Sequence, residues 1–407
     1  MRVLFVDDEP NVLDGLRRTM HPMRDRWEMA FAIGGTEALE MLRTAAYDVI
    51  VTDMRMPGIS GLELLESVKA NYPDTIRFIL SGQTDPATAI RSTNIAHQFL
   101  SKPCEPEVII TAVDRAAGLR AILNSEELRA FASKLHSLPS LPASYFRLIE
   151  EVNAPEPSIE RVSEIIEQDV GMTAKVLQLV NSSFFGKPRK VERTADAAGL
   201  LGLETLKALI AAEHIFGVFS SGIVEGFNLE DLHRHCMHTG AIARAIAQSE
   251  ALDRVTVGHA LTAGVLHDMG TLMLASGLPG ALAAIRYATE TTLEPQSVCE
   301  VKLFGTSHSE LGGYLLGLWG FPFDIIEAVV YHHKPSSHPS AGVTLTDIVH
   351  AADAIERSLA QCETPCNAKL DWGHFENKGL TGKVEKWHKL ANDVTGMEAK
   401  TVAREAA

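Results

Sequence analysis

Cysteine is scarce, with five in 407 residues: Cys104, Cys236, Cys299, Cys362 and Cys366. They are scattered and include no CxxC pair, which argues against a disulfide framework or a thiolate zinc site. Such usage fits a reducing compartment, so a cytoplasmic protein is expected. A basic excess is also missing. Lys and Arg number 37 against 52 Asp and Glu, a net charge of −15, and both halves are acidic. Nucleic acid and anionic membrane, which need clustered positive charge, are therefore not expected partners. The short run Lys187-Pro188-Arg189-Lys190 is a local exception. No uncharged apolar run approaches the ~18 residues of a transmembrane helix. The N-terminus, Met1-Arg2-Val3-Leu4-Phe5-Val6-Asp7-Asp8, lacks the pattern of a signal peptide. No internal repeat or low-complexity tract is found. What is present, 46% hydrophobic and 22% charged residues, is globular composition at a length for two or three domains.

Two textures meet near residue 125. Before it, the apolar runs Arg2–Val6, Trp27–Ile33, Asp48–Thr52, Ile76–Leu80 and Gln98–Leu100 alternate with amphipathic stretches. These stretches are Asn11–Met20, Gly35–Ala45, Gly61–Asn71, Asp85–Thr93 and a last one from Pro106 through Ile122. Strands alternating with helices predict βα units on a five-stranded parallel sheet. After it, strand texture stops. Helical spacing runs through Ile159–Gln168, Gly171–Val180, Glu204–Phe219, Leu229–Glu250 and Val257–Leu274, between Pro- and Gly-rich breakers. The second half is predicted to be all-helical. A helical linker over 124–136 is expected between a first domain, 1–123, and a second, 137–360. The polar segment 361–407, with Trp372, Phe375 and Trp387, is expected to fold back in part and fray at its end.

Carboxylates fall where strands should end. Val6 leads into Asp7-Asp8, Thr52 into Asp53, and Phe99-Leu100-Ser101 into Lys102-Pro103. In an open parallel sheet the carboxyl ends of the strands form the ligand crevice. Gathered carboxylates repel unless a cation joins them, and Mg²⁺ favours a few hard oxygen ligands. Asp8 and Asp53 would bind the ion directly, and Asp7 directly or through water. Asp53 would be the nucleophile toward a phosphoryl group. Lys102 would pair with the phosphoryl oxygens, and Ser81 would offer them a hydroxyl.

Residues 1–123 resemble the receiver domains of two-component response regulators, through Val6-Asp7-Asp8-Glu9, Thr52-Asp53-Met54-Arg55-Met56-Pro57-Gly58, Leu80-Ser81-Gly82 and Lys102-Pro103. The resemblance implies a flavodoxin-like α/β fold and a phosphoacceptor at Asp53. It implies Mg²⁺ held by Asp7, Asp8, Asp53 and the backbone carbonyl of Arg55. It further implies a switch made by Ser81, Phe99 and Lys102, and a sensor histidine kinase as phosphodonor.

Most of the 16 histidines lie in the second half. His235 and His238, three apart on a predicted helix, share a face. His267-Asp268 closes an apolar helical run. Imidazole with carboxylate suits a divalent transition metal, which could activate water against a phosphoester. His21, His97 and His233 are expected to be ordinary hydrogen-bonded residues.

This half resembles the HDOD family, relatives of the HD phosphohydrolases. The matching motifs are Leu138-Pro139-Ser140-Leu141-Pro142, Gln168-Asp169, Asn181-Ser182-Ser183-Phe184-Phe185-Gly186, Gly199-Leu200-Leu201-Gly202 and Ala263-Gly264-Val265-Leu266-His267-Asp268-Met269-Gly270. The resemblance implies an all-α regulatory or interaction module that generally lacks the full catalytic set. His235, with His238 as its alternative, stands at the first His of HD enzymes. His308, His332, His333 and Asp353 resemble further ligands of the HD-GYP cyclic-dinucleotide phosphodiesterases. Thr271 replaces the Lys that follows the His-Asp pair in those enzymes, and Lys334-Pro335-Ser336 replaces Gly-Tyr-Pro.

The expectation is thus a response regulator with a non-catalytic HDOD output domain acting on an unknown protein partner. A transition metal is not expected there, and a homodimer and a cyclic-dinucleotide ligand are left open. The alternative is a receiver-gated, metal-dependent phosphohydrolase. A nucleic-acid-binding regulator is disfavoured by charge.

Overall fold

The computed structural model describes residues 1–81, 95–102, 104–122, 139–140, 147–148, 151–152, 154, 156–181, 191, 194, 196–201, 217–218, 228–278, 280–319, 321–337, 342–360 and 369–396. The predicted helix Asp85–Thr93, the linker 124–136, the basic run Lys187–Lys190, most of the Asn181–Gly186 motif, Cys362 and Cys366 lie outside the described residues. So do 397–407, where fraying is expected.

The first half opens with β1 (Arg2–Asp7), α1 (Pro10–Met20), β2 (Glu28–Ile33), α2 (Gly34–Thr44), β3 (Val49–Asp53), α3 (Gly61–Asn71), β4 (Ile76–Ser81) and β5 (Gln98–Ser101). It ends on α4 (Pro106–Ile122). The strands pair in parallel in the order β2-β1-β3-β4-β5. All five residues of β3 are buried, as expected of a central strand covered on both faces, which therefore reads as an unbroken apolar run. Chain order reverses beside β1, whose neighbours are β2 and β3, so the crevice opens between the ends of β1 and β3. Register pairs Val6 with Thr52 and Asp53 with Leu80, which sets Asp7 and Asp53 side by side at that opening. A capping box, Ser60 with Glu63, starts α3. Gly61 is required there, because a Cβ would lie 1.9 Å from the Asp53 carbonyl oxygen.

The second half contains β6 (Pro139–Ser140), α5 (Ile159–Glu167), α6 (Val170–Asn181), β7 (Gly217–Val218), α7 (Leu229–Ser249), α8 (Arg254–Leu266) and α9 (Met269–Gly277). It continues with α10 (Ala281–Thr292), α11 (Gln296–Phe304), α12 (His308–Leu318), α13 (Phe323–Tyr331) and α14 (Leu345–Leu359).

 The helices α15 (Trp372–Asn377) and α16 (Thr381–Thr395) follow α14.

Three expectations are corrected here. The second half is helical apart from one short parallel pair, Pro139 with Gly217 and Ser140 with Val218. The residue before a proline avoids the helical region, so Leu138-Pro139 favours extended backbone that can meet another short strand. Gly217–Val218 therefore do not belong to the predicted helix Glu204–Phe219. The predicted helix Val257–Leu274 is in fact two, α8 and α9, broken at His267-Asp268. Asp268 leaves helical geometry at φ −98° and ψ 13°, which turns two adjacent polar side chains toward the same interior.

Small residues let the helices close around that interior. A Cβ on Gly264 would lie 2.7 Å from Gly240 Cα, and one on Gly270 only 1.9 Å from the His308 carbonyl oxygen. The first contact brings α7 against α8 and the second brings α9 against α12. The C-terminal helices do fold back: Phe375 and Trp387 are buried, although Trp372 is exposed. Trp387 donates through Nε1 to Glu250 Oε1 at 3.1 Å.

The two halves touch. Helix α4 packs against α12, and Gln98 Nε2 donates to the Gly317 carbonyl at 3.3 Å. Beside this contact the buried Arg77 guanidinium donates to the carbonyls of Ile95 at 2.7 Å and Thr75 at 3.2 Å. Among the described residues, no helix is long and apolar enough to cross a membrane.

Candidate functional sites

At the end of the sheet, Asp7 and Asp53 are buried and Asp8 is half-buried. Lys102 Nζ donates to Asp7 Oδ2 at 2.8 Å and also to Asp53 Oδ1. Asp53 Oδ2 accepts from the Arg55 backbone N–H at 2.6 Å, and Asp7 Oδ1 from that of Glu9 at 3.0 Å. Burial works against the Lys102 ammonium, but its hydrogen bonds to Asp53 and Asp7 prevail and raise its pKa. Two carboxylates, Asp7 and Asp53, share one ammonium, with Asp8 next to Asp7 in the chain, so the donor set suits a hard divalent cation. Ser81 and Phe99 stand in β4 and β5, where Ser81 pairs with Ser101 and Phe99 with Ile79. Their side chains lie outside the described residues.

In the helical half, seven predicted residues meet in one buried cluster: His235, His267, Asp268, His308, His332, His333 and Asp353. Ligand atoms of three overlapping sets lie within 4.8 Å of one another: Asp268, His308, His332 and His333; His235, His267 and Asp268; and His267, His332 and Asp353. His235 comes from α7, the His267-Asp268 pair from the α8–α9 break, and His308 from the first residue of α12. His332 and His333 follow α13, and Asp353 lies within α14.

Four of these rings are fixed from behind. His267 donates through Nδ1 to the Gly264 carbonyl at 2.7 Å, and His332 to that of Val329 at 2.6 Å. His308 donates through Nδ1 to Glu300 Oε2 at 2.6 Å, and His235 to Glu356 Oε2. With Nδ1 donating outward, each ring turns Nε2 inward, the arrangement by which outer partners orient metal-binding histidines. His235 Nε2 lies 3.2 Å from Asp353 Oδ1, and His308 Nε2 lies 3.1 Å from Asp268 Oδ1.

Charge in the cluster is unbalanced toward the negative. Asp268, Asp353, Glu300 and Glu356 face one guanidinium, that of Arg357, which bonds both aspartates. Burial and Arg357 oppose a charged His235, but Asp353 and Glu356 outweigh them and lift it to about 9. Burial likewise opposes His308, while Glu300 and Asp268 lift it to about 10. Burial would raise Asp268, but His267, His308 and His332 hold its carboxyl well below the usual carboxylate range. Such an environment attracts cations, and its imidazole and carboxylate donors suit a divalent transition metal.

These two arrangements agree with the relatives of the chain. The family model described as response regulator receiver domain matches residues 3–114, and the one described as HDOD domain matches residues 138–335. The chain joins a receiver domain to an HDOD domain. It is similar to an uncharacterized protein of Treponema pallidum, 24% identical over 238 residues that make up 58% of this chain and 45% of that protein. It is also similar to the hydrogenase transcriptional regulatory protein HoxA of Cupriavidus necator, 31% identical over 174 residues, 40% of this chain and 36% of the relative. The chain thus spans less than half the length of these two curated relatives. Among solved structures, the MmoQ response regulator of Methylococcus capsulatus is 20% identical with a TM-score of 0.47, covering 62% of this chain and 98% of its own. A virulence factor of Campylobacter jejuni is 20% identical with a TM-score of 0.49, covering 68% and 98%.

Within the HDOD domain, His238 does not join the cluster's ligand sets, and its Nδ1 lies 3.4 Å from Glu356 Oε1. The histidines expected to be ordinary behave so: His97 bonds Arg77, His21 bonds Arg24, and His233 accepts from the Val170 N–H at 3.4 Å. Sequence reading missed Glu300, Glu356 and Arg357. The last two were within reach, because Glu356 and Arg357 follow Asp353 by three and four residues and so share its helical face. Glu300 carried no such signal. It reaches His308 across the α11–α12 turn and bonds both its Nδ1 and its backbone N–H.

Proposed function

We propose that the chain is a response regulator in which a phosphoryl group on Asp53, taken from a sensor histidine kinase, controls an HDOD signalling domain that holds a metal ion. The domains run over 1–123 and 137–360, joined by a helical linker over 124–136 and followed by a C-terminal extension over 361–407. At the receiver, Asp7, Asp8, Asp53 and the Arg55 carbonyl would hold Mg²⁺, which offsets the charge of the phosphoryl group. A carboxylate oxygen of Asp53 attacks phosphorus, and the bond from phosphorus to the kinase imidazole breaks, with the electron pair returning to that nitrogen. Lys102, already bonded to Asp7 and Asp53, turns to the new phosphoryl oxygens. Ser81 and Phe99 complete the switch. The cytoplasm is the compartment this reading expects.

The observation that carries the HDOD part is the tautomer lock. Four imidazoles have Nδ1 tied to acceptors, and their Nε2 atoms converge on Asp268 and Asp353. A domain that kept these residues only for packing would gain nothing from so many buried polar groups, which are costly when incompletely paired. The metal would sit within the cluster formed by His235, His267, Asp268, His308, His332, His333 and Asp353, whose ligand atoms fall into three overlapping sets. The contact of α4 with α12 supports the route of control, because α12 begins at His308.

A second reading, hydrolysis of a phosphodiester such as a cyclic dinucleotide, is favoured by one observation. The side chains of His333 and Arg357 keep 16% and 17% exposure, so solvent reaches the edge of the cluster. Thr271 and Lys334-Pro335-Ser336 stand against it.

Acetyl phosphate with Mg²⁺ should add one phosphoryl group by intact mass, and Asp53→Ala should abolish it. Uptake that persists in the variant overturns the receiver assignment. The metal-loaded protein should leave a cyclic dinucleotide intact, and turnover lost in His267→Ala would establish the second reading.

A further inference from the structure

The metal cluster has two unequal halves. In one, Asp268 Oδ2 and Asp353 Oδ1 face His235 Nε2 at 3.5 and 3.2 Å and His267 Nε2 at 3.5 and 3.7 Å. Those same two oxygens accept from Arg357, Asp268 Oδ2 from Nη2 at 2.9 Å and Asp353 Oδ1 from Nε at 2.7 Å. In the other half, Asp268 Oδ1 faces His308 Nε2 at 3.1 Å and His332 Nε2 at 3.7 Å, and Asp353 Oδ2 lies 3.9 Å from His333 Nδ1. Among the described residues, three buried atoms there, Asp268 Oδ1, His332 Nε2 and Asp353 Oδ2, have no hydrogen-bond partner. Each aspartate therefore gives one oxygen to the guanidinium and keeps the other unsatisfied.

We infer that Arg357 takes the place of one cation, so that the HDOD domain binds a single metal ion, in the half formed by Asp268 Oδ1, His308, His332 and His333. This rests on the metal-binding reading above. A cation and a guanidinium cannot share the same two oxygens without strong repulsion at such separations. The guanidinium is always charged, is planar, and is held four residues from Asp353 on one helical face, which makes it a fixed occupant. Burying the unpaired atoms of the second half costs free energy until a ligand satisfies them. An ion there restores the balance, with Asp268 linking the ion to the guanidinium through its two oxygens.

The test is metal stoichiometry, read by plasma mass spectrometry on full-length protein stripped with chelator, reloaded with Mn²⁺ or Co²⁺ and freed of loose ions by gel filtration. The receiver ion is removed from the count by working in the Asp53→Asn, Asp8→Asn background. Expected are one ion per chain with Arg357 present, one in Arg357→Lys, and two in Arg357→Met. His332→Gln should lose the ion and His235→Gln should keep it, which locates it without relying on the folding of Arg357→Met. Two ions with Arg357 present, one ion in Arg357→Met, or an ion lost in His235→Gln and kept in His332→Gln overturns the inference while leaving the metal reading intact. No ion in any variant overturns the metal reading itself.

Discussion

Replacing Gly270 with alanine perturbs the buried His/Asp cluster without touching a proposed ligand. Its new Cβ would lie 1.9 Å from the His308 carbonyl oxygen and 2.6 Å from its carbonyl carbon. Ordinary contact begins at 3.4 Å, so α9 and α12 must part by about 1.5 Å. Both partners are backbone, so no side-chain rotation relieves the clash. Overpacking of this kind costs roughly 1–3 kcal/mol. His308 Nε2 and Asp268 Oδ1, now 3.1 Å apart, would separate by a similar amount, too far to ligate one ion at metal–ligand distances of about 2.0–2.2 Å. Metal affinity should fall at least about tenfold, the lower end of what losing an outer partner does. Urea unfolding followed by far-UV circular dichroism reads the first effect, and chelator competition with Co²⁺ reads the second. The stoichiometry of phosphoryl uptake on Asp53 should stay at one per chain. A variant with unaltered midpoint and unaltered affinity would refute the close approach of α9 and α12.

Glu300→Gln removes the carboxylate behind His308 and should weaken metal binding by about 10–100-fold in the same competition assay; equal affinity would mean that Glu300 does not orient the ring. Lys175 is fully buried, and desolvation together with the charge of Lys69 lowers its pKa to about 7, against about 10.4 in an unfolded chain. Between those values the unfolded state holds the extra proton, so stability should rise from pH 7 toward pH 10 and level off below pH 7, where both states carry the proton. Lys175→Met should flatten the profile, and an unchanged slope would remove Lys175 as its source. Trp387→Ala should cost roughly 3–5 kcal/mol, because a large buried side chain leaves a cavity; an effect under 1 kcal/mol by urea titration would show that α16 is not part of the helical core.

The receiver was legible nearly residue by residue. Its strands are short and separated by helices of ordinary length, so Gly61–Asn71 and Pro106–Ile122 match the observed bounds of α3 and α4. The helical half was harder to read. Periodicity carried Val257–Leu274 through His267-Asp268, because the apolar face continues on both sides of the break. The pair β6–β7 has two residues per strand, too few for any alternation to register. The clustered histidines were visible as residue types, but their convergence is set by contacts between distant helices at Gly240, Gly264 and Gly270. Glycines mark no such contact in sequence. The spacing of Arg357 from Asp353 put it within reach, but an arginine four residues after an aspartate also reads as a surface ion pair, so its buried role did not stand out.

The central claim is that Asp53 and the HDOD metal centre are coupled through α4 and α12. The most direct test is the Co²⁺ affinity of the HDOD centre, followed by the visible absorption of histidine-bound Co²⁺, with Asp53 free and with Asp53 phosphorylated. The account predicts a shift of about 5–150-fold between the two states, the usual range of coupling between linked sites, and no shift in Asp53→Ala. Identical affinities in both states of Asp53 would contradict it.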